Sequence, residues 1–408
     1  MPHVIPLKKS WRWFGQDDPV TFQYLRQMEI ENIVTSMYHV DAGQIWTDEE
    51  IKLFKNLLNK NGFQWTTVES LPVSDGIKLH DKHYDHHVNN YIQSLENLGQ
   101  HGIDTVCYNF MTGIDWIRTD LVYRLPSGGE VMHFDLYKFI AFDVFILKRP
   151  GAENDYSPAS LSEAEKSYSS MSPGEREKLA NDIIVKTQGF IHGRKYKHDE
   201  DYRAIFLENL HKYTALDNIK LRENFGVFMD DIMDTLEKYN IRMCIHPDDP
   251  PFPVLGMPRI VSTADDLSWL FKRHESLHNG LTFCSGSFSA SINNNPTEIL
   301  NHYKERVHFA HLRNTEMDER GNFHESGHIA GKVNLTEMIY ILLNEQVRRK
   351  NAGRKDFQIP VRPDHGIKML DDFNRDSPPG YPMIGRYRGL LEITGIEKGL
   401  SYLLFRPV

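Results

Sequence analysis

Short apolar runs alternate with amphipathic stretches along most of this chain, at a spacing of roughly 30–40 residues, which is the rhythm of strand, helix and strand again. The runs do not alternate apolar with polar positions. They are nearly continuous, as expected of parallel strands buried on both faces. The pattern predicts strands in Ser10–Gly15, Asn32–Tyr38, Gln64–Leu71 and Asp104–Phe110, then at about 241–246, 281–285, 306–312 and 359–364. Helix signals fall between them. Asp17-Asp-Pro19 offers a proline early in a helix, and Thr47-Asp-Glu-Glu50 a capping box for a helix running to Asn61-Gly62. Further helices are predicted at Val88–His101 and Leu221–Tyr239, after Asn334-Leu-Thr-Glu337, and over Glu392–Gly399. Eight strands each followed by a helix predict an α/β fold, a (β/α)8 TIM barrel, whose catalytic groups gather at the C-terminal ends of the strands.

The rhythm breaks between about residues 112 and 208, after the fourth strand. Leu125-Pro-Ser-Gly-Gly-Glu130 marks a hairpin, and Ser160–Ser170 and Ser172–Gln188 are helical, the second opened by the capping box Ser172-Pro-Gly-Glu175. The expectation is one domain over residues 1–408, with 112–208 as a lid-like insertion over the catalytic face.

Candidate chemistry sits where the barrel would place it. Four of the last strands end in a metal-capable residue: His246 in Arg242-Met-Cys-Ile-His-Pro, Cys284 in Leu281-Thr-Phe-Cys-Ser, His311 in Val307-His-Phe-Ala-His-Leu-Arg, and Asp364 in Arg362-Pro-Asp-His-Gly366. Alone, each has a plain structural explanation: a hydrogen-bonded core histidine, a small buried thiol, a turn-capping aspartate. Their joint placement at converging strand ends predicts a shared metal site. Two imidazoles, a thiolate and a carboxylate suit zinc by type, and equally Fe²⁺ or Mn²⁺ with positions open to substrate oxygens. His365 follows Asp364 directly, and Tyr381 sits in the loop beyond the last strand. Arg313, two residues past His311, has the geometry to clamp a carboxylate. Cys107 and Cys244 read as core filling.

Composition changes the picture little. The chain has 408 residues, 25% charged and 40% apolar, with a net charge of −9 and no basic block, which argues against a nucleic-acid partner. Three cysteines do not make a disulfide framework, and neither a signal-like N-terminus nor a membrane-length apolar run is present, so the expected location is the cytoplasm. A homodimer or larger homo-oligomer is expected.

Several stretches together resemble one family. They are Trp11-Arg-Trp-Phe-Gly15 with Asp17-Asp-Pro-Val20, Tyr108-Asn-Phe110 with Asp115-Trp-Ile-Arg-Thr-Asp120, His246-Pro-Asp-Asp-Pro-Pro251, Phe283-Cys-Ser-Gly-Ser287, His308-Phe-Ala-His-Leu-Arg313 and Arg362-Pro-Asp-His-Gly366. The set is similar, nearly end to end, to the mannonate dehydratases of hexuronate (glucuronate) catabolism. The resemblance implies a xylose-isomerase-like barrel that holds Mn²⁺ or Fe²⁺ on His246, Cys284, His311 and Asp364. It implies His365 and Tyr381 as the catalytic pair, with D-mannonate dehydrated to 2-keto-3-deoxy-D-gluconate. On chemical grounds Tyr381 would take the C2 proton and His365 would protonate the leaving C3 hydroxyl.

The alternative on this barrel is a sugar isomerase or epimerase, but such enzymes shuttle a proton between acids where this chain has His246 and Cys284. A multi-zinc nuclease would need a basic face. A binding protein without turnover would have no use for an acid and a base beside the ligands.

Overall fold

The computed structural model describes residues 5–189 and 201–404. Eight parallel strands close a barrel in the order β1, β12, β9, β8, β7, β4, β3, β2. In chain order the described strands are β1 (Lys8–Arg12), β2 (Asn32–Thr35), β3 (Gln64–Glu69), β4 (Thr105–Tyr108), β5 (Asp120–Arg124), β6 (Glu130–Phe134), β7 (Arg242–Ile245), β8 (Asn279–Cys284), β9 (Val307–Leu312), β10 (Asn314–Met317), β11 (Phe323–Ser326) and β12 (Pro360–Pro363). Every residue of β2, β4, β7, β8, β9 and β12 is buried, which is why their sequences carry no alternation. The seam closes where Lys8 and Lys9 of β1 pair with Pro360 and Val361 of β12.

The larger core lies between the barrel and its helices, with Trp11, Trp65, Phe228, Met243, Leu281 and Leu342 in one cluster. Inside the barrel, Val34, Cys107, Cys244 and Phe309 form a small apolar plug, so both cysteines do fill the core. The capping signals perform as expected. Ser172 and Glu175 make a full capping box, and Asn334 accepts from the Glu337 amide. Thr47 accepts from the Glu50 amide, while its hydroxyl, 2.6 Å from Glu50 Oε2, grips that carboxylate.

Several predicted boundaries shift, two of them with a clear structural reason. The helix expected from Asp17-Asp-Pro19 begins only at Phe22, capped by Thr21. Asp18 instead ties the turn after β1, accepting from the amides of Phe14 and Val20 at 2.8 Å each. The closing helix is longer than expected, Met383–Leu404, because Gly385 lies against the backbone of Ile367 and lets the helix start well before Glu392.

The insertion carries the predicted hairpin, β5 and β6, and helices Pro158–Ser170 and Pro173–Asn181. Residues 190–200 of it lie outside the described residues. It packs a second core around Ile117, Phe134, Phe142, Leu179, Ile183 and Phe206. Its hairpin joins a second one, β10 and β11, which follows β9, in an antiparallel sheet ordered β10, β11, β6, β5. The two hairpins meet where Phe134 pairs with Phe323, their rings stacked 5.2 Å apart. Since they leave the barrel after β4 and β9, the sheet joins two loops of the same catalytic face.

Candidate active site

Backbone register puts the ligand-type residues on one level. Cys284, the last residue of β8, pairs with His311 of β9, and His311 pairs with Arg362 of β12. His246 follows β7 directly, its amide donating to the Tyr108 carbonyl at 2.8 Å. The ligand atoms of His246, Cys284 and His311 all lie within 4.8 Å of one another.

The donor set fits a metal ion. His246 Nδ1 is 2.7 Å from the Pro247 carbonyl, to which it donates, so the other ring nitrogen keeps its lone pair for the site. His311 is fully buried, and its Nε2 has no hydrogen-bond partner among the described residues. A buried imidazole nitrogen without a hydrogen bond, 3.5 Å from the Glu69 carboxylate and close to a thiol and a second imidazole, is what a held cation would satisfy. Burial pushes the His246 imidazole below its usual range, which favours the neutral, ligating form.

Asp364 stands just past β12, beside the three. Its Oδ2 is 3.7 Å from Cys284 Sγ, and its Oδ1 accepts from Arg362 Nη1 at 2.5 Å. Burial alone would raise this carboxyl, but Arg362, His365 and Arg313 outweigh it and hold it well below the usual range.

His365 and Tyr381 meet because the chain turns sharply after β12. The Gly366 amide donates to the Gly380 carbonyl at 3.0 Å, and a side chain at Gly366 would collide with the backbone of Gly385 and Arg386. That close approach brings Tyr381 back over His365, ring centroids 5.2 Å apart and edge to face. His365 Nδ1 lies 3.0 Å from Glu325 Oε1 and also touches Arg313. Tyr381 accepts from Arg12 Nη1 at 3.0 Å. Burial raises the Tyr381 phenol to about 12 against the opposing pull of Arg12, and burial lowers the His365 imidazole against that of Asp364.

Arg313 lines the same cavity but is committed to protein groups. Its Nη1 donates to Glu325 at 3.0 Å, and its Nη2 to Asp249 at 2.5 Å and Ser287 at 3.1 Å. Asp249, on the loop after β7, also takes a fork from Arg118 of the insertion, at 2.7 and 3.1 Å. Arg118 in turn donates to Glu325 at 2.9 Å. A fully buried network of two arginines and two carboxylates thus spans four loops and ends on His365. Burial would raise Glu325, yet Arg313 and His365 bring it down to about 2.

Sequence reasoning assigned no role to Glu325, Asp249, Arg118, Arg12 or Glu69. Glu69 closes β3 and binds Arg12 at 3.0 Å and Arg362 at 2.6 Å, with its Oε2 3.5 Å from His311. Its strand-end position was a usable signal. Glu325 lies in β11, a hairpin that no pattern announced.

Together these residues enclose a cavity of about 50 Å³, lined by His246, Asp364, His365 and Tyr381 on one side and by Ser70, Asn109, Asp115 and Trp116 on the other. It brings together side chains able to hold a metal ion, an imidazole and a phenol with ring centroids 5.2 Å apart, and a strongly charged wall.

Comparison with known proteins points to one family. Residues 7–406 match the family model described as D-mannonate dehydratase (UxuA). The mannonate dehydratase of Chromohalobacter salexigens is 40% identical over 97% of this chain and all of the relative, and that of Marinomonas sp. (strain MWYL1) is 38% identical over 98% of this chain and all of the relative. The crystal structure of mannonate dehydratase from Streptococcus suis serotype 2 superposes with a TM-score of 0.74 at 26% identity, covering 98% of this chain and 95% of that one.

Proposed function

This chain belongs to the D-mannonate dehydratase family and is a hydro-lyase of that activity, and we propose that it works through a metal held by His246, Cys284, His311 and Asp364, with His365 and Tyr381 moving the protons. The observation that carries this reading is the convergence of the His246, Cys284 and His311 ligand atoms within 4.8 Å of one another, beside that pair. Mn²⁺ or Fe²⁺ suits the set once Asp364 joins it, since a carboxylate and substrate oxygens favour the harder ions.

A divalent cation held by His246, Cys284, His311 and Asp364 would supply positive charge to stabilise the charge developing on the substrate carboxylate as the C2 proton leaves. Tyr381, its phenolic proton first lost to solvent and its phenolate stabilised by Arg12 Nη1 at 3.0 Å and by the charge of Arg362, then accepts the C2 proton. His365, its Nδ1 held by Glu325, protonates the C3 hydroxyl as it departs as water. The enol left behind tautomerises to 2-keto-3-deoxy-D-gluconate. Arg313 holds His365 in place and adds positive charge to the wall that meets the substrate carboxylate. The reaction serves hexuronate breakdown.

The insertion acts as the lid. The cavity is partly open to solvent, and movement of part of its wall would admit a six-carbon acid and close over it. The wall segment Asp115-Trp116 is the candidate. Its backbone is clipped by the insertion residue Gln188, which accepts from the Asp115 amide and donates to the Trp116 carbonyl, both at 2.9 Å.

The test is to strip the protein with chelator and incubate it with D-mannonate, with and without Mn²⁺ or Fe²⁺. Keto-acid formation that requires the metal is the expected result. Full activity in protein holding no stoichiometric metal would sink the proposed centre.

A further inference from the structure

The barrel divides into two arcs. The ligand residues come from the contiguous strands β12, β9, β8 and β7, while β4, β3, β2 and β1 form the other arc. Asn109 stands immediately past β4, at the edge of that second arc, and lines the cavity together with Ser70 and Asp115. Its side chain is fixed from one side only. Nδ2 donates to Asp115 Oδ2 at 2.8 Å, and among the described residues this is the only hydrogen bond of the Asn109 side chain. Asp115 is itself buried, with its backbone amide on Gln188 at 2.9 Å and its backbone carbonyl on Arg259 at 3.0 Å. Asp115 therefore orients the amide of Asn109, which keeps a carbonyl oxygen and a second N–H for a ligand.

That pairing of one donor and one acceptor is what a sugar hydroxyl requires, since each hydroxyl both gives and accepts a hydrogen bond. On the reading given above, C1 to C3 of the substrate lie against the ligand arc and the His365–Tyr381 pair. β4 lies next to β7 and across the barrel from β12, so hydroxylated carbons that run away from the His365–Tyr381 pair pass Asn109. We propose that Asn109, oriented by Asp115, hydrogen-bonds the hydroxyls of the non-reacting end of the sugar acid and is a specificity-determining residue. The proposal rests on the D-mannonate reading. It assigns a task to the stretch Tyr108-Asn-Phe110 and Asp115 that proton transfer and metal binding leave without one.

The test uses the Mn²⁺-loaded full chain and two ligands. D-Mannonate carries the distal hydroxyls. D-Glycerate keeps only the carboxylate and the hydroxylated C2 and C3, and is measured as a competitive inhibitor. Asn109→Ala is expected to lower kcat/KM for D-mannonate by about tenfold to a hundredfold and to leave the D-glycerate inhibition constant within twofold. Asp115→Asn, which keeps the shape of the pair, is expected to shift D-mannonate alone, by a few-fold. Metal content and melting temperature measured alongside report whether each variant is folded and loaded. Equal weakening of both ligands would place Asn109 at the reacting end and overturn the proposal. So would a kcat/KM for D-mannonate within twofold of wild type in both variants. If the unaltered protein forms no keto acid from D-mannonate, the D-mannonate reading fails first, and that outcome is distinct from an active enzyme indifferent to Asn109.

Discussion

At the scale of single residues, the site depends on charges taken out of water and returned to partners of opposite sign. Glu325 shows the logic. Buried alone it would be protonated, but Arg313, His365 and Arg118 keep it ionised, and it then holds one edge of the His365 ring. Replacing it by glutamine keeps an acceptor but removes the charge. Glu325→Gln is expected to lower kcat by roughly 10–100-fold with metal content unchanged, measured by steady-state kinetics and elemental analysis. A loss of metal instead would mean that the network supports the ligands rather than His365. Tyr381→Phe removes the proposed proton acceptor while keeping the ring. It should cost about 10²–10⁴ in kcat and leave KM nearly unchanged. Gly286 is a different case. A Cβ there would collide with the Arg313 side chain, so Gly286→Ala must displace the guanidinium that four loops share. Loss of about 1–3 kcal/mol of stability is expected, read as a lowered melting temperature, with reduced activity in the protein that remains folded.

At the scale of elements, the barrel strands were legible because burial on both faces leaves continuous apolar runs, and their ends were legible because catalytic groups gather there. His246, Cys284, His311, Asp364 and His365 were singled out by that route, and the structure brings the ligand atoms of the first three within 4.8 Å of one another. Hairpin β10–β11 was not legible. Its four-residue strands are partly exposed and mix polar with apolar side chains, so neither period stands out. Glu325, on β11, was missed with it. The insertion was recognised as an interruption of the rhythm, and its helices by their caps. Its role as a lid is tested by limited proteolysis. Cleavage within residues 112–208 should slow when D-mannonate is present, and equal rates with and without it would count against closure.

At the scale of the whole molecule, the two ends of the barrel carry different chemistry. The catalytic end concentrates carboxylates held ionised, whereas near the opposite end a histidine is held neutral. His308, second residue of β9, has its Nε2 donating to the Leu277 carbonyl at 2.7 Å, and burial brings its imidazole down to about 4. A folded value below the unfolded one, about 6.5, means that the neutral form is favoured by folding. Its contribution is complete above pH 6.5 and is lost as pH falls from there toward 4, amounting to about 3 kcal/mol at most. The melting temperature should therefore drop across that window, and His308→Asn should flatten part of the slope. An unchanged slope would place the acid sensitivity elsewhere, with His328, also brought down to about 4 by burial, as the next group to replace.

The sequence by itself determined the barrel, the face on which it acts, the metal-capable strand ends and the family. Those follow from local information: the period of apolar positions, the residues that stop strands and cap helices, and side-chain types whose chemistry is recognisable wherever they sit. Only the tertiary structure decided which charges neutralise which. Arg313 looked like a clamp for a substrate carboxylate, and in the fold its donors go to Asp249, Ser287 and Glu325. Glu69 and Arg12 had no visible task until β1, β3 and β12 brought them to Arg362 and Tyr381. A buried charge is tolerated only beside its partner, and these partners lie up to hundreds of residues away. The pairing belongs to the closed barrel and to no stretch of the chain.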